Sequence, residues 1–246
     1  MVRVMITVEY NGKNYLGWQI NGENNTIGLQ VESAVNRAIG QDIKVVASGR
    51  TDAGVHAYCQ VCHLDLPKSC KLSVKNLIKT VNNFLPSDIR IIKAKEVSDK
   101  FHARYNVKSK TYLYKCYTSA ISSPLKEGFY AHYPAVINIE LIKKAAKIIE
   151  GKHDFSAFCL TKTDSSSFER EVYSIDVVRR GDELLFYVKG NGFLYSMVRL
   201  IVGTLLFVGQ GKISLEQLEK AINEQNKQFV GEKMPACGLY LFNVEY

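Results

Sequence analysis

The apolar residues of this chain change period in the same order twice, and that repetition narrows the folds open to it. Val2, Val4, Ile6 and Val8 alternate, as on one face of a strand. A Gly/Asn-rich connection from Asn11 to Asn25 leads to Val31, Ala34, Val35, Ala38 and Ile39, which fall at helical spacing up to Gly40. Val45 to Ala47 and Tyr58 to Leu66 read as strands. Ser73 reads as the cap of a helix with Val74, Leu77, Ile78 and Val81 inward, and Ile89 to Ala94 as a further strand. The second half predicts a strand over Thr111 to Tyr117, then a helix capped by Asn138 with Lys143, Lys144 and Lys147 outward and ending at Gly151. A hairpin turning at Arg180-Gly181-Asp182 follows, then a very apolar helix through Leu194, Met197, Ile201 and Leu205, and a last strand over Leu239 to Tyr246. Ser214-Leu215-Glu216-Gln217 is a capping-box pattern that opens one extra helix. Two β-α-β-β-α-β units in tandem predict an α+β fold. Its form is two ferredoxin-like halves, residues 1–105 and 106–246, with mostly antiparallel sheets sharing a central cleft.

The charge balance suggests a partner. The 246 residues carry 32 Lys+Arg against 24 Asp+Glu, a formal net charge of +8, which points to a polyanion: nucleic acid or an anionic membrane. The longest apolar stretch, Phe193 to Val208, is 16 residues with Arg199 near its middle. It is too short to span a bilayer comfortably and carries a charge, so it reads as a buried helix. The first residues alternate like a strand and lack the charged and apolar regions of a secretion signal. Six Cys in such a chain imply reduced thiols and a cytoplasmic setting.

Familiar cofactor loops do not occur. There is no G-x-x-x-x-G-K-[ST], no G-x-G-x-x-G, no H-E-x-x-H and no pair of C-x-x-C knuckles, so nucleotide, hydride and zinc chemistry have no visible seat. Cys59-Gln60-Val61-Cys62-His63 matches the haem-attachment pattern C-x-x-C-H, but in an alternating strand it reads as ordinary strand residues, with Cys62 on one face and Cys59 and His63 on the other. No metal or cofactor is expected. The segment that stands out is Gly49-Arg50-Thr51-Asp52-Ala53-Gly54-Val55-His56, where two glycines bracket an Arg and an Asp between two strands. Gly admits positive φ and close approach of a ligand. The Asp can be a nucleophile, a base or a turn former.

That segment closely resembles the active-site signature of the TruA family of tRNA pseudouridine synthases, and the likeness covers nearly the whole chain. Tyr10-Asn11-Gly12 with Tyr15-Leu16-Gly17-Trp18-Gln19, Asn82-Asn83-Phe84-Leu85-Pro86 with Asp88-Ile89, and Phe101-His102-Ala103-Arg104 with Tyr112-Leu113-Tyr114 are similar to family blocks. So are His153-Asp154-Phe155, Met197-Val198-Arg199, Val202-Gly203 and Gly238-Leu239-Tyr240-Leu241. Glu169-Arg170-Glu171 and Met234-Pro235-Ala236-Cys237 depart from the family pattern. The resemblance implies a cofactor-free, homodimeric isomerase that converts uridine to pseudouridine at positions 38, 39 and 40 of the tRNA anticodon arm. It assigns the nucleophile to Asp52 and leaves open whether the carboxylate attacks C1′, adds to C6 or abstracts a ribose proton. Tyr112 takes the place of the ring that stacks on the flipped base, while Tyr114 fits core packing. Arg50, His56, His102 and Arg104 are read as phosphate or ribose contacts.

Arg199 carries a physical argument of its own. A guanidinium in so apolar a helix needs an anion, and Asp52 is the natural partner, a pairing that would hold the carboxylate in its charged form; the competing reading is that Arg199 reaches the surface or the RNA backbone. A non-catalytic RNA-binding module is the alternative for the whole chain, because a ferredoxin-like sheet with exposed aromatics and positive charge also suits simple binding. Asp52 and Arg199 discriminate the two, since a pure binder has no use for a carboxylate beside a phosphate path.

Overall fold

A computed structural model describes residues 1–19, 25–70, 72–160 and 167–246; residues 20–24 of the connection between Asn11 and Asn25 lie outside the described residues. In chain order the elements are β1 (Val2–Tyr10), α1 (Ile27–Ile39), β2 (Val46–Ala47), β3 (His56–Leu66), α2 (Val74–Asn82), β4 (Ile89–Glu96), β5 (Ser109–Tyr117), β6 (Ala131–His132), α3 (Ile139–Ile149), β7 (Gly151–Asp154), β8 (Glu169–Arg180), β9 (Glu183–Gly190), α4 (Met197–Gly209), α5 (Leu215–Asn223) and β10 (Leu239–Glu245). The fold is mixed, with mostly antiparallel strand pairing. Two compact units divide it: residues 1–108 with 240–246, and residues 109–239.

The first unit's sheet runs β4-β1-β3-β10, with β2 also on β3. β1 pairs antiparallel with β3 and β4, β2 antiparallel with β3, and β10 parallel with β3 through Tyr240 opposite His56. Val4, Ile6, Val8 and Tyr10 of β1 are at most 3% exposed, as are Val31 and Val35 of α1 and Leu77 and Val81 of α2, so these residues form one core. The helix ends follow local chemistry. Thr26 and Ser73 accept N–H bonds as N-caps, and Gly40 closes α1 at φ +75°.

The second unit's sheet runs β5-β9-β8-β7, antiparallel throughout, with β6 parallel beside β5. α3 ends at Glu150, so Gly151 opens a short strand on β8 and does not itself cap the helix. α4 is buried at every position but Phe207, which bears out the apolar-helix reading with Arg199 inside it. Ser214 and Gln217 make the reciprocal capping box at the start of α5. Among the described residues no helix is long and apolar enough to cross a membrane.

Candidate active site

In the first unit, the loop from Gly49 to Val55 is fixed from below before Asp52 is reached. Ser48 and Gln60 are fully buried; Ser48 Oγ donates to Gln60 Oε1 at 2.7 Å, and Gln60 Nε2 donates to the Gly49 carbonyl at 2.9 Å. Thr51 shares a 2.8 Å hydrogen bond with the Tyr10 hydroxyl. The Val55 N–H then donates to the Asp52 carbonyl at 3.2 Å, closing a turn with Gly54 at φ +76° in its third position, where a type II turn calls for glycine. Asp52 stands half-buried on this turn and Arg50 is exposed beside it.

The segment from Asn11 to Gln19 clasps that loop from the other side. Trp18 N–H donates to the Thr51 carbonyl at 3.1 Å and Gly54 N–H to the Tyr15 carbonyl at 3.1 Å. Asp88 anchors the clasp: its Oδ1 accepts the Tyr15 hydroxyl at 2.7 Å and its carbonyl accepts the Asn11 N–H at 2.9 Å. Burial, then the Asp88 carboxylate, pushes the Tyr15 hydroxyl well above the ordinary tyrosine range, so it remains a donor. The residue types were visible in the sequence; their pairing was not.

His56 differs from its expected place among ribose and phosphate contacts. It is 1% exposed, its Nδ1 accepts the Gly12 N–H at 3.1 Å, and its ring stacks on Tyr240 at 4.6 Å. In this arrangement it supports the clasp and presents no edge to an RNA backbone. His102 and Arg104 lie on a separate segment after β4. His102 Nδ1 accepts the N–H groups of Arg104 and Tyr105, which fixes its tautomer, and Arg104 is exposed. Cys62 shares the face of Ile6 while His63 shares that of Met5, as strand alternation requires.

Tyr112 and Arg199 belong to the second unit. Tyr112 is half-buried on β5, its ring edge-on to Phe193 at 5.3 Å. Arg199 is 9% exposed and its Nε donates to the Met234 carbonyl at 2.6 Å. Tyr114, fully buried, donates its hydroxyl to the next carbonyl, Pro235, at 2.7 Å. Burial holds that hydroxyl far above its ordinary range, opposed in part by the Arg199 charge. The departure from family pattern at Met234-Pro235 is therefore where Arg199 and Tyr114 are both held. Glycines allow this: a Cβ on Gly203 would stand 1.9 Å from the Glu232 carbonyl oxygen, so only glycine lets that segment lie against α4. Ser196, at φ +59°, starts α4 in a left-handed conformation that costs a non-glycine residue about 1–2 kcal/mol.

A family model described as tRNA pseudouridine synthase matches residues 6–106 and 145–246. The chain is 40% identical over 247 residues to tRNA pseudouridine synthase A 1 of Bacillus cereus (strain ATCC 10987 / NRS 248), covering 100% of this chain and 99% of that one. It is 39% identical to tRNA pseudouridine synthase A of Anoxybacillus flavithermus and 38% to that of Bacillus pumilus, at the same coverages. The chain belongs to the tRNA pseudouridine synthase family. It is an isomerase of that class, which sets aside the non-catalytic RNA-binding module.

Proposed function

We propose that this enzyme isomerises uridines 38, 39 and 40 of the tRNA anticodon stem-loop with Asp52 as nucleophile, without a cofactor, as a cytoplasmic homodimer. The observation that carries the reading is the Asp52 turn, whose main chain is held on both sides by hydrogen bonds. The reaction breaks the bond from uracil N1 to ribose C1′, turns the base and joins C1′ to C5, with the C5 proton lost and N1 left carrying a proton. It involves no net redox change and consumes no water, and an ionised carboxylate suffices as its nucleophile. Tyr112 is the ring against which the flipped uracil stacks. Arg50, His102 and Arg104 contact phosphate or ribose, and His56 supports the loop from within. Each half is read as a ferredoxin-like repeat, 1–105 and 106–246 by sequence order. The order β4-β1-β3 with β2 on β3 supports this for the first half; the second unit runs β5-β9-β8-β7. The test is nucleoside mapping of an unmodified tRNA transcript after incubation with the protein; pseudouridine elsewhere, with none at 38–40, would overturn the positional assignment.

In this reading Arg199, buried in α4 of the second unit, is the second catalytic residue. Its burial supports the role, since a guanidinium withdrawn from water needs an anion. Arg199→Met is expected to lower turnover at saturating tRNA about a hundredfold while leaving tRNA affinity nearly unchanged. Arg199→Lys, which keeps charge but loses the planar fork, is expected to fall between. Loss of affinity with turnover intact would assign Arg199 to the RNA backbone instead.

Binding should also weaken steeply with salt. Each phosphate held by Lys or Arg releases a counterion, giving a log–log slope of about −0.7 to −0.9 per contact. An affinity that changes by less than about twofold between about 50 and 200 mM salt would make the +8 charge a solubility device only.

A further inference from the structure

Tyr105 is 76% exposed, yet it is held in place. Its ring stacks on His102, with centroids 4.3 Å apart and planes 28° apart, and His102 meets His63 edge-on at 4.8 Å. The segment beneath is fastened through its main chain. Ala103 N–H donates to His63 Nδ1 at 3.1 Å, and the Ala103 carbonyl accepts the Tyr246 hydroxyl at 2.7 Å. His102 and Asn106 close the turn reciprocally, His102 N–H donating to Asn106 Oδ1 and Asn106 N–H to the His102 carbonyl. Burial, with the Arg3 charge next, pushes the His63 imidazole below its ordinary range, which suits a ring that accepts at Nδ1.

A large aromatic ring that is fixed and still open to solvent meets the requirement for stacking on a nucleobase. Its ordering cost is already met by the fold, and any base offers a π-face. The charge around it favours a polyanion. The Arg104 guanidinium lies 6.0 Å from the ring centroid, and Lys100 and Lys108 are exposed on the same segment. The nearby Asp65 is engaged by Arg3 at 2.7 Å. Lys95 stands in one row with Met5 and His63, so it shares the sheet face on which this stack is built.

We propose that Tyr105 is a stacking platform for an unpaired base of the tRNA, with Arg104 on the phosphate beside it. The proposal rests on tRNA being the substrate. The experiment measures binding of an unmodified tRNA transcript, and of a fully paired RNA duplex of equal length, to wild type, Tyr105→Ala and Tyr105→Phe. Pseudouridine formation at saturating tRNA is followed in parallel. Tyr105→Ala is expected to weaken tRNA binding about tenfold, the loss of one base stack, with Tyr105→Phe within about twofold of wild type. Duplex binding and the rate at saturation should stay close to wild type in both variants. Tyr105→Ala binding tRNA as well as wild type does, or losing tRNA and duplex equally, would overturn the platform. A wild-type protein that forms no pseudouridine would overturn the functional reading instead, leaving the platform to be judged on the binding arms.

Discussion

Asp52→Asn is expected to abolish turnover, by about a thousandfold or more, as removal of a nucleophile does. The tRNA affinity and thermal midpoint should stay near wild type. The amide is nearly isosteric with the carboxylate, and the bonds that shape the turn use the main chain: the Asp52 carbonyl accepts from Val55, and the Thr51 carbonyl accepts from Trp18. The substitution therefore removes charge and nucleophilicity and leaves the loop. Rate and binding measured on one preparation separate a reacting carboxylate from a turn former. Residual turnover within about tenfold would make Asp52 a turn former, since a nucleophile's loss cannot be so mild.

The parts of this molecule legible in its sequence are those set by local physics. β1, α1 and the capping box at Ser214 follow from spacing within a few residues, and the expected ends match the observed ones closely. The burial of α4 was legible because its apolar residues surround the helix on all sides. Partner choice was not legible. β10 closes the sequence, yet it pairs parallel with β3, and nothing in Leu239 to Glu245 names that partner. The two-residue strand Ala131–His132 carries too few residues to show a period. Within the site, the signature marked Asp52 and Arg50 but not their support. From sequence His56 reads as a phosphate or ribose contact; only the fold shows Gly12 and Tyr240 enclosing it. Asp88 and Gln60 could be read as loop and strand residues, and their use as anchors depends on contacts 73 and 11 residues away in sequence.

Those anchors hold the clasp around Asp52 together, and Gly17 is where its part in turnover can be tested. Gly17 has φ +90°, and a Cβ there would stand 2.5 Å from the Thr51 carbonyl oxygen, 3.1 Å from the Asp52 carbonyl carbon and 3.2 Å from the Ala53 nitrogen. All three neighbours are main chain, so no side chain can swing away to relieve the contact. Gly17→Ala should therefore cost about 1–2 kcal/mol for the left-handed conformation and about 1–3 kcal/mol more for overpacking. The strain falls on the peptide that carries Asp52, so the loop is expected to shift. A displacement of about 1 Å at a reacting group can cost a hundredfold in rate. Gly40→Ala is the matched control. Gly40 has φ +75° at the end of α1, and a Cβ there would meet nothing within 4 Å, so it should incur the conformational cost alone and keep full activity. Thermal melts and turnover of the two variants then isolate the contact with the Asp52 loop. Equal losses of stability, with Gly17→Ala retaining turnover within about twofold, would show that the clasp shapes the fold without setting the place of the carboxylate.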